Sequence, residues 1–198
     1  MKILLLGDSH CRDLDSIFKE ISSSYVIYTV STGDQLDAIA TKFRNKVQSI
    51  IRFDPDSVIL HGGHNDMARH PRYNRRPQVS KPTARKTMQL AREVHSYLPS
   101  AKIFVSNVFP RTFTDRSILS QSEVHKYNET SKRHGPQLRA LTGIEGFNML
   151  INDCMWLHIS SAQEESSHFL IDGLHLNKSG QLAVVREWLS YIHSPLTS

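Results

Sequence analysis

Short apolar runs alternate with longer amphipathic stretches along this chain. The runs are rich in valine, isoleucine, leucine and aromatic residues, which is typical of strands buried on both faces of a parallel sheet. They cover Ile3 to Leu6, Tyr25 to Val30, Ser57 to Leu60, Lys102 to Val105 and, more weakly, Phe147 to Ile151.

Between these runs, apolar residues recur at helical spacing. One stripe extends from Leu36 to Ile51, a second from Met88 to Leu98 and a third from Leu182 to Ile192, so each segment has one apolar face. Strands that alternate with helices favour a parallel sheet covered by helices on both faces. The pattern therefore predicts a single α/β/α sandwich domain over residues 1–198.

The composition is that of a globular protein, since 39% of the 198 residues are hydrophobic and 22% are charged. Only two cysteines occur, Cys11 and Cys154, so no disulfide framework is indicated and we expect a reducing, cytoplasmic location. The opening apolar run ends at Gly7, which is too short for a signal peptide or a membrane span. A chain that starts directly on a buried strand also suggests a domain of a longer protein.

Three of the predicted strands end in groups that suit a binding site. In open parallel sheets, ligands bind beyond the carboxyl ends of the strands. The first strand is followed by "GDS", which contains Ser9, the second by "STG", which contains Gly33, and the third by "HGGHND", which contains Asn65. A hydroxyl, a glycine backbone and an amide side chain are therefore expected at one edge of the sheet.

These groups suit acyl transfer. A serine that attacks a carbonyl needs hydrogen-bond donors for the oxyanion that forms there. The N–H of Ser9, the N–H of Gly33 and the side-chain amide of Asn65 can supply them, and Gly33 has no Cβ to keep a ligand away from its backbone.

A general base is found far downstream, in "DGLHLNKSG". Asp172 and His175 lie three residues apart there, just before the last helical stripe. His175 could take the proton of Ser9, while Asp172 would orient the imidazole and stabilise its charged form. This chemistry needs no metal and no organic cofactor.

Four blocks, "GDS", Gly33, "GHND" and "DGLH", resemble those of the SGNH hydrolases, also called GDSL-type esterases. They come in the family's order and span nearly the whole chain. The resemblance implies a flavodoxin-like, five-stranded parallel sheet and serine esterase chemistry on short acyl, acetyl-type esters. It also implies the triad Ser9, His175 and Asp172, with an oxyanion hole of Ser9, Gly33 and Asn65. His10 stands where the family has leucine, and His64 fills the variable position before Asn65.

A narrower resemblance concerns "GDSHCRDL" and the basic balance of the chain. These features look like the esterase domain in first-open-reading-frame proteins of vertebrate LINE-type retrotransposons. The chain contains no RNA-binding module, zinc knuckle or coiled-coil heptad, and we expect no direct RNA binding by this domain. The alternative function is a lipid- or RNP-associated binding module whose esterase site is vestigial.

Structural interpretations compete with each of these roles. Ser9 could be the N-cap of a helix with the apolar stripe Leu14, Phe18 and Ile21. Gly33 could serve only a turn, and Asn65 could serve only its own loop. Asp8 and Asp66 are expected to bond turn amides and not to act as catalytic acids. A zinc site of His61, His64 and His175 is an alternative whose spacing matches no common zinc site.

A basic run follows Asn65. The net charge is +5 with a pI near 9.3, and eight Lys or Arg but no Asp or Glu lie between Met67 and Arg92. These are Arg69, Arg72, Arg75, Arg76, Lys81, Arg85, Lys86 and Arg92. The run is either a solvated loop and helix face or a rim that holds an anionic surface near Ser9, and an anionic membrane is the partner we expect.

Overall fold

The structure is a computed structural model that describes residues 1–68, 79–117, 119–160, 168–170 and 172–194. One sheet of five parallel strands forms its centre, in the flavodoxin-like order β2-β1-β3-β4-β5. The strands are β1 (Lys2–Gly7), β2 (Val26–Ser31), β3 (Ser57–His61), β4 (Lys102–Ser106) and β5 (Asn148–Leu150). Each contains most of one predicted run, so the predicted parallel sheet is confirmed.

Seven helices are found in the described ranges, besides a short 3₁₀ turn at Ser9–Cys11. They are α1 (Leu14–Ile21), α2 (Leu36–Phe53), α3 (His64–Met67), α4 (Ser80–Tyr97), α5 (Gln121–Glu145), α6 (Asp153–Ser160) and α7 (Lys178–His193). The three predicted stripes fall on α2, α4 and α7. Helix α5 was not predicted because Gly135 and Pro136 interrupt its sequence and its apolar periodicity is weak.

The two faces of the sheet carry separate apolar clusters, which follow from the alternation of side chains along each strand. Leu4 and Leu6 of β1 pack with α2, α4 and α5 on one face. Ile3 and Leu5 pack with α1, α6 and α7 on the other face, where Trp188 is fully buried. The result is the predicted three-layer α/β/α sandwich.

The carboxyl ends of the central strands are held close together. Gly7 pairs with Ser31 on one side and with His61 on the other. A Cβ at Gly7 would lie 2.1 Å from the His61 carbonyl oxygen, so only glycine lets β1 and β3 approach so closely here. Asp8 and Ser9 therefore leave the sheet between β2 and β3.

Two further observations concern the whole described chain. None of its helices combines the length and the apolar character that crossing a bilayer requires. Cys11 is buried and Cys154 is half-buried, and both are free thiols.

Candidate active site

Ser9 lies in a tight turn and does not cap a long helix. Asp8 is the N-cap of this 3₁₀ turn, since its Oδ1 accepts a hydrogen bond from the His10 N–H at 3.1 Å. Helix α1 begins later, at Leu14, and is preceded by Asp13. The Ser9 hydroxyl is thus available for other contacts, and the interpretation of Ser9 as the N-cap of α1 is wrong.

Ser9, His175 and Asp172 form one continuous chain of contacts. The Ser9 Oγ lies 3.2 Å from His175 Nε2, and His175 Nδ1 lies 2.7 Å from Asp172 Oδ2. Asp172 Oδ1 accepts the backbone N–H groups of Leu174 and His175, both at 2.9 Å. With Nδ1–H donated to the carboxylate, Nε2 presents its lone pair to the Ser9 hydroxyl.

The surroundings of Asp172 favour its charged form. Burial alone would raise the pKa of this carboxyl, but the hydrogen bonds from the His175 ring and from the two backbone N–H groups outweigh burial and hold the pKa below its usual value. A carboxylate that stays ionised can fix the tautomer of the neighbouring imidazole and stabilise a positive charge on it.

Asn65 and Gly33 lie side by side at the same edge. Asn65 begins the short helix α3 with His64, and its Nδ2 donates to the Gly33 carbonyl at 3.2 Å and to the Asp34 carbonyl at 3.4 Å. A Cβ on Gly33 would meet no protein atom within 4 Å, so packing does not demand glycine there and space is left for a ligand. Gly33 and Asn65, two of the three predicted donors of an oxyanion hole, are therefore in contact at the edge where the turn of Ser9 follows β1.

His64 is a buried link that the sequence did not assign. Its Nδ1 donates to Asp8 Oδ2 at 2.7 Å, and its Nε2 accepts the Phe109 N–H at 2.8 Å. His64 is 1% exposed and Asp8 is fully buried. Burial, and then the positive charge of Arg111, keep the pKa of His64 well below its ordinary value, which holds the ring neutral in this tautomer.

Asp8 and Asp66 both bond backbone amides, as predicted. Asp66 Oδ2 accepts the Leu36 N–H at 2.9 Å and so connects α3 to the start of α2. Burial raises the pKa of Asp66 to about 6. Both carboxyl groups act on the local backbone, at the ends of β1 and β3.

Two more buried histidines pack beside His64. The His10 ring lies 4.3 Å from the His64 ring and 5.5 Å from the His175 ring, measured between centroids. Burial lowers the pKa of His61 to about 3 and that of His10 well below its usual value. Three neutral imidazoles therefore lie beneath Ser9 and His175.

Asp8, His61 and His64 could hold a metal ion, since one ligand atom of each lies within 4.8 Å of the others. Both ring nitrogens of His64 are already hydrogen-bonded, so a cation would have to displace Asp8 or the Phe109 N–H. His175 faces Ser9 and Asp172 and does not join this group. The structure thus does not bring together the zinc ligands considered from the sequence.

A pocket of about 220 Å³ opens beside Ser9. Ser9 and His175 were predicted to lie at the site, but the other walls were not, because they come from segments that are distant in sequence. They are Ser9, His10, Arg12, Asp13, Leu170, His175, Leu176 and Gln181.

Half of the basic run is described. Arg69, Arg72, Arg75 and Arg76 lie outside the described residues. On α4, Lys86 pairs with Asp37 at 2.9 Å and Arg92 pairs with Glu145 at 3.0 Å, whereas Lys81 and Arg85 are exposed to solvent. Two of its cations are thus partly neutralised by neighbours, and the exposed basic face of α4 is smaller than the sequence suggests.

No family model matches the chain, and no curated protein matches its sequence. Solved structures match its fold. An acetyl xylan esterase shares 14% identity over 96% of this chain and 98% of its own, with a TM-score of 0.67. A lipase/acylhydrolase from Enterococcus faecalis shares 16% identity over 100% and 99%, with a TM-score of 0.67. A GDSL-like lipase from Bacteroides thetaiotaomicron shares 11% identity over 96% and 85%, with a TM-score of 0.65. The chain therefore shares the three-layer fold of these hydrolases.

The neutral histidines predict a steep loss of stability in acid. In the unfolded chain they take up protons near pH 6.5, whereas folded His61 does so only near pH 3, so the unfolded state binds more protons between these values. The free energy of unfolding should then fall by up to about 1.4 kcal/mol per pH unit for each such histidine. Urea unfolding at pH 7, 6 and 5 measures the slope. His61→Asn should reduce it and His95→Gln, at an exposed position, should not; a flat profile would contradict the prediction.

Removing the His64 link should destabilise the protein. His64→Leu leaves Oδ2 of the buried Asp8 carboxylate without a donor and the Phe109 N–H without an acceptor, which should cost about 2 kcal/mol or more in the free energy of unfolding. His64→Asn can retain a donor for Asp8 and should cost less. Urea unfolding at pH 7.5 measures both variants, and equal losses would show that the Asp8 contact is not the important one.

Proposed function

We propose that this chain is a serine esterase that hydrolyses short acyl esters of the acetyl type. The observation that carries the proposal is the contact chain from Asp172 through His175 to the Ser9 hydroxyl, 2.7 Å and 3.2 Å long. The groups proposed to donate hydrogen bonds to an oxyanion, the N–H groups of Ser9 and Gly33 and the side chain of Asn65, follow the ends of β1, β2 and β3 at the same edge of the sheet.

In the proposed reaction, Ser9 Oγ attacks the ester carbonyl carbon while His175 Nε2 takes the hydroxyl proton. The negative charge that develops on the carbonyl oxygen is held by the Ser9 and Gly33 N–H groups and by Asn65 Nδ2. His175 then gives its proton to the departing alcohol, which leaves an acyl group on Ser9. Water, activated by the same histidine, releases the acid and restores the free serine.

Asp172 would serve this cycle without changing its own protonation state. Its carboxylate keeps the Nδ1–H tautomer of His175 and stabilises the imidazolium that forms in each half-reaction. The lowered pKa of Asp172 supports this role, because the carboxyl stays ionised while the imidazole gains and loses a proton.

The fold and the pocket support an ester of a small acid. Proteins named as an acetyl xylan esterase and a lipase/acylhydrolase share this fold. The pocket at Ser9 measures about 220 Å³, below the roughly 300–1,000 Å³ of sites for drug-sized ligands. A short acyl group suits that space.

We further propose that the domain acts in the cytoplasm at an anionic membrane, as one part of a longer protein like the retrotransposon esterases it resembles. The basic run after Asn65 supports the membrane partner, since Lys81 and Arg85 are exposed on α4. The alternative is a binding module with a vestigial esterase site, and measurements of ester turnover distinguish it from an active esterase.

Ser9→Ala should abolish hydrolysis of small activated acetate esters while the protein stays folded. Asp172→Asn should lower kcat by roughly 10⁴-fold, because the imidazole loses the partner that fixes its tautomer. Turnover of p-nitrophenyl acetate and circular dichroism measure the two effects. If Ser9→Ala hydrolyses the ester as fast as the wild type, Ser9 is not the nucleophile.

Charge reversal of the basic run should abolish membrane binding and spare hydrolysis of a soluble ester. Each basic residue close to an anionic leaflet contributes about 1 kcal/mol, and salt weakens the contribution. Flotation of the variant Arg72→Glu, Arg75→Glu, Arg76→Glu and Lys81→Glu with phosphatidylserine vesicles tests this.

The matched control reverses four exposed cations elsewhere, Lys19, Lys126, Arg133 and Arg139, and should still float. Membrane docking by the basic run fails if the first variant floats as well as the wild type, or if the wild type binds neutral vesicles equally well.

A further inference from the structure

Arg111 is a buried cation for which the proposed reaction has no use. It follows β4, is 5% exposed, and its guanidinium carbon lies 4.3 Å from the centroid of the Tyr127 ring. Its Nε has no hydrogen-bond acceptor. Across the described ranges, no Asp or Glu side chain lies within ion-pair distance of its guanidinium.

The position of Arg111 is fixed by its backbone. Its N–H donates to Asn128 Oδ1 at 2.9 Å, and its carbonyl accepts from Asn128 Nδ2 at 2.8 Å. Tyr127, beneath the guanidinium, donates its hydroxyl to the Phe109 carbonyl at 3.0 Å. Asn128 therefore holds the backbone of Arg111, and Tyr127 supports its side chain. Both of these residues belong to helix α5.

The contacts with Asn128 and Tyr127 do not neutralise the charge of Arg111. A guanidinium stays protonated at neutral pH, and a buried charge is ordinarily paired because leaving it unpaired costs free energy. Burial raises the pKa of Tyr127 to about 12, so the phenol is neutral and offers no countercharge. Asp8 and Asp172 act on Arg111 only through space, without contact.

A pocket of about 280 Å³ adjoins this cation. Among the described residues, its walls contain no carboxylate, and their charged or titratable side chains are Arg111 and His125. The other walls are Thr112, Phe113, Gln121, Val124 and Asn128. The positive charge of Arg111 at this pocket therefore complements an anion.

The pocket is coupled to the loop that carries Asp172 and His175. The Thr112 N–H donates to the Gly173 carbonyl at 2.9 Å, and Ser117 Oγ donates to the Asp172 carbonyl at 3.3 Å. A molecule in this pocket would thus contact Thr112, which is hydrogen-bonded to that loop.

We propose that Arg111 and this pocket bind an anionic group, phosphate or carboxylate, on the alcohol part of the ester substrate. The proposal rests on the proposed esterase function. A guanidinium recognises the two oxygens of such a group through paired N–H donors, and the buried setting strengthens the contact. The substrates are then acyl esters of anionic alcohols.

Matched acetate esters test the proposal. One series carries a phosphate on the alcohol at the end of two, three or four carbons, a second carries a carboxylate, and a third ends in a neutral hydroxyl. For the wild type, we expect kcat/KM to be roughly 10-fold to 100-fold higher for at least one anionic series than for the neutral esters. The difference should come mainly from a lower KM for the anionic esters, and added salt should reduce it. The two anionic series distinguish phosphate from carboxylate.

Arg111→Leu should bring the ratio of anionic to neutral kcat/KM close to one, whatever its rate on the neutral ester. Arg111→Lys retains the positive charge but loses the paired N–H donors of the guanidinium, so it should keep part of the preference for anionic esters. Arg139→Leu, at an exposed arginine of helix α5 outside this pocket, should retain the whole preference. Equal kcat/KM for all three series in the wild type would overturn the proposal even if Arg111→Leu does not fold.

Binding to Ser9→Ala separates this proposal from the esterase function. Titration of that variant with inorganic phosphate and with acetate, followed by calorimetry, measures anion binding without turnover. Binding that Arg111→Leu abolishes in the same background supports the anion pocket even if no ester is hydrolysed. Ester hydrolysis without an anionic preference, and without anion binding, leaves the esterase intact and overturns the anion pocket.

Discussion

A buried carboxylate at the end of the first strand holds the rest of this edge in place. Asp8 is fully buried, and its oxygens accept hydrogen bonds from the His10 N–H and from His64 Nδ1. An unpaired carboxylate in the interior would cost several kcal/mol, so both donors are held where Asp8 needs them. One donor belongs to the turn of Ser9, and the other directly precedes Asn65. The proposed nucleophile and a proposed oxyanion donor are therefore positioned by the same side chain.

The second nitrogen of His64 extends this constraint to the next strand. By accepting the Phe109 N–H, it connects the ends of β1 and β3 to the segment that leads from β4 to Arg111. Because burial keeps His10, His61 and His64 neutral, the cluster adds no positive charge beneath Ser9. The guanidinium of Arg111 carries a permanent positive charge close to this edge, and no carboxylate among the described residues contacts it, which fits the proposed anionic ligand.

The sequence predicted the groups that directly follow strands. It did not predict which residues of the longer loops would be buried or would line a pocket. Ser9, Gly33 and Asn65 could be placed at one edge because parallel strands end on the same side. Asp172 and His175 were found by their spacing and by resemblance. Arg111 carries no such signal, since a basic residue in a loop is usually solvated, and its burial comes from Tyr127 and Asn128 on α5. That helix was itself missed because Gly135 and Pro136 obscure its pattern. The role of His64 was equally hidden, because its partners Asp8 and Phe109 are 56 and 45 residues away.

The loop from Asp172 to Leu176 contributes to one pocket and contacts a wall of the other. His175 and Leu176 line the pocket at Ser9, whereas Gly173 packs against Thr112, which lines the pocket at Arg111. Gly173 has a φ of +67°, and a Cβ there would lie 2.1 Å from the Thr112 carbonyl oxygen, so any other residue would force the loop away. The close contact of this glycine holds Thr112, a wall of the pocket at Arg111, against the loop that carries the proposed base. In the proposed substrate, the acyl group is held at Ser9 and the anionic group of the alcohol is held at Arg111.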